Sequence, residues 1–78
     1  MARQTLELHG EYIELNRALK LLGLVSSGAE AKMVISNGDV FVDHQVENRI
    51  RRKLRLGNIV RYATEEIVIS PPAVLSGS

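Results

Sequence analysis

Thr5-Leu6-Glu7-Leu8-His9 alternates polar and apolar residues with the period of two of a half-buried strand, and Gly10 breaks the run. Leu6 and Leu8 are expected to face inward. From Glu11 to Leu22 the period lengthens: Tyr12, Leu15, Ala18, Leu19 and Leu22 share one arc of a helix, with Glu14, Asn16, Arg17 and Lys20 opposite. The spacing predicts an amphipathic helix over 11–22, closed by Gly23 in the left-handed conformation after its last turn. Glu11 and Glu14 in the first turn and Lys20 in the last suit the helix dipole. Ile13 and Leu21 fall on the polar side; they are expected to pack on the first strand or the C-terminal hairpin, or else to form a small exposed apolar patch.

Ser27-Gly28-Ala29-Glu30 has the form of a capping box, so a second helix should start near Gly28. Ala31, Val34 and Ile35 share its buried arc, Ala29, Lys32 and Ser36 lie on another, and Asn37-Gly38 stops it. Two helices joined by a tight connection give a helix-turn-helix-like pair. A strand over 39–42, a turn at Asp43-His44-Gln45 and a return strand from Val46 follow. Beyond them Ile50, Leu54 and Leu56 are spaced apolar anchors, Leu56-Gly57-Asn58 is a turn, and Ile59 to Tyr62 is a strand. Ala63 to Glu66 reads as a turn and Ile67-Val68-Ile69 as the last strand. Residues 1–70 are expected to form one domain, and Pro71-Pro72 with the small, polar residues after them a disordered tail over 71–78.

Charge changes this picture more than composition does. The net charge is only +1, yet six of the ten basic residues (Arg49, Arg51, Arg52, Lys53, Arg55 and Arg61) fall between Asn48 and Ala63, where there is no Asp or Glu. Five of the nine acidic groups sit early (Glu7, Glu11, Glu14) or late (Glu65, Glu66) in the chain. A clustered positive field on a nearly neutral chain calls for a polyanionic partner; its bland counterpart is a solvated face that keeps the protein in solution. With 78 residues the chain can hold one small core, and without cysteine neither a disulfide nor a thiolate zinc site can reinforce it. No run resembles a signal peptide or a membrane span, which leads to the expectation of a soluble, cytoplasmic protein.

At this point the spacing is recognisable. Leu19-x-x-x-Gly23, then Ser27-x-x-x-Ala31-Lys32-x-x-Ile35-x-x-Gly38-x-Val40-x-Val42-Asp43, then Leu54-x-x-Gly57-Asn58 resembles the S4 RNA-binding domain, whose name comes from a small-subunit ribosomal protein. The match spans residues 12 to 62 and is most similar to the short stand-alone bacterial members. The resemblance implies an α+β fold of the αL-motif type, with the helix pair on a small, bent antiparallel sheet and an N-terminal strand ahead of it. It also implies a surface for structured RNA at Ser27, Gly28, Ala29, Lys32 and the segment from Arg49 to Lys53. Many family members carry arginine where this chain has Gly28, and often Asn-Gly where it has Asp43-His44. The dense run from Arg49 to Arg55 is expected to take over the role of the arginine missing at the helix start.

On this reading Arg51, Arg52 and Lys53 contact phosphates, Arg49 and Arg55 flank them, and Lys32 and Arg17 extend the patch across the helices. The arginine fork suits bidentate phosphate contacts. The N-terminus of the second helix adds amide donors. With only Tyr12, Phe41 and Tyr62 as aromatic residues, recognition of a folded RNA by shape is favoured over stacking along a single strand. Plainer roles stand beside these: Ser27 as a cap only, Tyr62 as a half-buried strand residue, Arg61 and Lys20 as solvated, and Arg49 paired with Glu47 or Asp43. His9 and His44 are isolated and no catalytic motif is present, so neither an enzyme nor a cofactor or metal site is expected. The expected partner is ribosomal or transfer RNA bound by a monomer, with duplex DNA or an acidic protein as the alternatives.

Overall fold

The computed structural model describes residues 2–72. The tail expected over 71–78 therefore lies mostly outside the described residues. The elements in order are β1 (Ala2–Glu7), β2 (Ile13–Glu14), α1 (Leu15–Leu21), α2 (Gly28–Ser36), β3 (Val40–Val42), β4 (Gln45–Val46), β5 (Lys53–Leu54), β6 (Ile59–Tyr62) and β7 (Glu65–Ser70). Both helices lie against a five-stranded sheet of order β1-β7-β6-β3-β4, and β2 pairs with β5 in a separate two-stranded ladder. The fold is α+β, as the sequence implied.

The core comes from the predicted faces. Leu15, Ala18 and Leu19 of α1 and Ala31, Val34 and Ile35 of α2 meet Val40, Val42, Val60, Ile67 and Ile69 of the sheet in one buried cluster. Each helix ends on a glycine in the left-handed region, Gly23 at φ 73° and Gly38 at φ 81°. After α1 the Gly23 and Leu24 amides donate back to Lys20 and Leu19, and after α2 the Gly38 and Asp39 amides donate to Ile35 and Val34. This paired closure satisfies carbonyls that a helix end otherwise leaves open.

Several local expectations are corrected. The sheet is mixed, because β1 runs parallel to β7, with Leu6 opposite Ile69, while the other pairs are antiparallel. Leu8 is buried as expected, and its amide donates to Ser70. The last strand starts at Glu65, which shortens the preceding turn to Ala63-Thr64. In the β3–β4 hairpin Asp43 and His44 both take positive φ and form the whole turn, so Gln45 belongs to the return strand. Such a two-residue turn matches the twist of its flanking strands. Asp43 holds it by accepting from the Ile59 amide and from Asn58 Nδ2.

The first helix departs furthest from expectation, starting at Leu15 rather than Glu11. Ile13 and Glu14 pair instead with Leu54 and Lys53. Glu14 offers no side-chain cap; the Leu15 and Asn16 amides donate to the carbonyls of Arg52 and Ile50, at 2.9 and 3.1 Å. The basic segment is thus the N-terminal cap of α1. Tyr12, expected on the buried arc, is consequently exposed. Ile13 packs on the core and Leu21 stands exposed.

Candidate nucleic-acid interface

Residues 47–55 do not hang free from the hairpin. Leu54 is fully buried and Ile50 packs on the core. Asn48 Nδ2 donates to the Ile35 carbonyl near the end of α2. With the ladder to β2 and the two carbonyls capping α1, these contacts tie the segment to both helices. The sequence marked its charge and missed its scaffold.

Glu47 is the residue on which the segment turns. It is the one charged residue that is buried among those described, at 7% exposure. Its carboxylate accepts from the Arg49 amide at 3.0 Å, from Arg49 Nε and Nη2 at 2.9 and 3.1 Å, and from Arg52 Nη1 at 2.6 Å. Hydrogen bonds from the Arg49 side chain, reinforced by its backbone amide and by Arg52, hold the carboxyl down at about 2 against the opposing effect of burial. Arg49 in turn is pushed up by Glu47. Between the two acidic partners open to Arg49, the structure selects Glu47, since Asp43 is engaged with Asn58 and Ile59. The sequence carried the signal for this pairing at a spacing of two. It gave none for Arg52.

With Arg49 and Arg52 so fixed, Arg51 and Lys53 pair with no carboxylate among the described residues. All four side chains line a shallow concavity of about 440 Å³. Four cations around a single hollow, with one carboxylate behind two of them, form a surface that favours an anion carrying several charges.

Around this hollow the remaining candidates divide into groups. Arg55 donates from Nη1 to the Glu11 carbonyl at 3.3 Å and, with Lys53, lies over the Tyr12 ring. Arg17 and Lys20 line a second depression with Gly28, so the exposed side of α1 meets the start of α2. Ser27 caps α2 as expected, accepting from the Glu30 amide at 3.1 Å. The Glu30 carboxylate reaches one residue further back than a capping box requires, to the amide and hydroxyl of Ser26. Those bonds lower its pKa. Helix geometry leaves the Gly28 and Ala29 amides without intrahelical acceptors. Lys32 is exposed on α2, outside both depressions. Arg61 lies across the sheet, stacked over Phe41.

A helix pair on a sheet, with a basic segment capping the first helix, defines a class of protein, and comparison with known sequences agrees. The S4 domain profile matches residues 6–70, and the chain belongs to the S4 domain family. Among its relatives is a protein of Escherichia coli K12 named "Putative RNA-binding protein YbcJ", 41% identical over 58 residues that cover 74% of this chain and 83% of that one. Another is the "Probable ribosome maturation protein RlbA" of Bacillus subtilis 168, 40% identical over 50 residues, which cover 64% of this chain and 70% of the relative. The solution structure of E. coli YbcJ, described as having an αL motif involved in RNA-binding, superposes with a TM-score of 0.61 at 40% identity. The superposition covers 90% of this chain and 87% of that one.

Proposed function

We propose that the chain is a non-catalytic RNA-binding protein that recognises a folded RNA, of the ribosomal or transfer class, through the basic segment and the exposed side of α2. The observation that carries this reading is the hollow lined by Arg49, Arg51, Arg52 and Lys53, held to α1 by the segment's own carbonyls and to α2 by the Asn48 side chain. With Arg49 and Arg52 already fixed on Glu47, fewer long side chains have to be ordered when a phosphate path binds. Arg51 and Lys53 take phosphates directly. The outer edges of Arg49 and Arg52 complete the hollow, Arg55, Arg17 and Lys32 extend the positive surface, and the α2 start at Ser27, Gly28 and Ala29 lets a backbone approach closely. The names of the relatives support RNA as the partner, and the ribosome maturation protein among them favours ribosomal RNA.

The test is a titration of a labelled RNA hairpin against duplex DNA of equal charge and length, at matched salt. Tighter binding of the RNA is expected, because the A-form helix and its loop present phosphates at a spacing that duplex DNA does not. Equal affinity for both would leave only a nonspecific polyanion surface. Binding to neither would direct the search to an acidic protein.

A further inference from the structure

Beside the basic segment lies a groove of about 490 Å³, within the size range of sites that enclose small planar ligands. Its walls include Tyr12, Ile13 and Leu21, with Glu7, His9, Glu14 and Arg17 at the polar positions. Tyr12 is 41% exposed and Leu21 64% exposed. An aromatic ring left in solvent at the edge of a cationic surface is an amphipathic platform.

The ring is held in place. Its neighbour Ile13 is locked to Leu54 by the β2–β5 ladder, Lys53 Nζ stands 4.9 Å from the ring centroid, and Arg55 Cζ stands 5.7 Å from it. The bond from Arg55 to the Glu11 carbonyl ties the same corner together. Neither Lys53 nor Arg55 lines the groove, and Tyr12 borders both the groove and the two cations. In the groove two carboxylates, Glu7 and Glu14, stand against the one guanidinium of Arg17, so phosphate is favoured beside the ring at Lys53 and Arg55 rather than within the groove. The charge pattern therefore sorts the two halves of a nucleotide, base to one side and phosphate to the other.

We propose that this groove takes one unpaired nucleobase of the bound RNA, stacked on Tyr12, with the adjoining phosphate on Lys53 and Arg55. The inference rests on the RNA-binding reading and adds to it a local feature of the RNA, a bulged or looped-out nucleotide beside the helical stem. A single platform suits a single extruded base, in keeping with a chain that has few aromatic residues.

The experiment compares two RNA hairpins of one stem sequence, fully paired or carrying one bulged 2-aminopurine nucleotide, for the wild type, Tyr12→Phe, Tyr12→Leu and Tyr12→Ala. The readout is the ratio of the two affinities in each protein, together with 2-aminopurine fluorescence. The fluorescence reports stacking of the base separately from any change in how Lys53 and Arg55 meet phosphate, and thermal midpoints check that each exposed-site variant is folded. The wild type and Tyr12→Phe should favour the bulged hairpin roughly 5- to 100-fold, the range that one base–aromatic stack supplies, and should quench its fluorescence. Tyr12→Leu and Tyr12→Ala should bind both hairpins alike. A wild type without preference, or a preference that survives in Tyr12→Ala, overturns the groove assignment while binding of the paired hairpin keeps the RNA reading. Hairpins bound no more tightly than duplex DNA overturn both.

Discussion

Glu47 shows how one side chain converts a run of charge into a shaped surface. A carboxylate with only 7% of its residue exposed would be costly alone, yet Arg49 and Arg52 meet it with four hydrogen bonds if the Arg49 amide is included. Glu47→Gln replaces one acceptor oxygen by a donor and leaves arginine N–H groups facing it. The change should lower stability by about 1–3 kcal/mol at neutral pH, measured as a shift in the urea midpoint. The pH dependence follows from the same carboxyl. Its folded value is lowered from 4.5 to about 2, so its contribution is complete above about 4.5 and is lost as the pH falls through about 2. Wild-type stability should fall across that window and the Glu47→Gln curve should be flatter there; parallel curves would contradict the role assigned to Glu47. The sequence could suggest the Arg49 contact, because a single residue, Asn48, separates the partners. It could not suggest Arg52, whose direction depends on the backbone path that Leu54 and the start of α1 impose.

At the scale of elements, the signals that were legible are local ones. The whole of α2 could be read from the Ser27 cap, the apolar arc of Ala31, Val34 and Ile35, and the Asn37-Gly38 stop, because the hydrogen bonds that define it arise within a dozen residues. The start of α1 could not, because its first amides find their acceptors at Ile50 and Arg52. No cap residue precedes Leu15, and the helical spacing of Tyr12 with Leu15 continued past the point where the backbone turns into β2. The same limit hid β5, a two-residue strand whose partner is β2 and whose burial distinguishes two of the three anchors. Leu54 is fully buried, whereas Leu56 is 57% exposed, contrary to its expected role. Leu54→Ala should therefore cost about 2–5 kcal/mol, since it opens a cavity beneath the basic segment. Leu56→Ala should stay within about 0.5 kcal/mol of the wild type. Equal effects in thermal or urea unfolding would mean that the β2–β5 ladder does not anchor the segment.

For the whole molecule, the first and last strands meet in parallel, a long-range pairing invisible to any local pattern. Arg3 pairs there with Glu66 at 2.7 Å, so one basic and one acidic group from opposite ends of the sequence neutralise each other at the sheet edge. That pairing takes two charges out of play at the edge, while Arg51 and Lys53 in the hollow pair with no carboxylate among the described residues. A net charge of +1 consequently conceals a polar distribution of charge. The central claim is that the hollow meets several phosphates at once, and the dependence of binding on salt tests it most directly. For a labelled RNA hairpin bound by the wild type and by Arg51→Ala/Lys53→Ala, the slope of log K against log salt should flatten by about 1–2 units in the double variant. Stability should change little, since both side chains are exposed. Identical slopes for the two proteins would mean that Arg51 and Lys53 touch no phosphate, and would contradict the account.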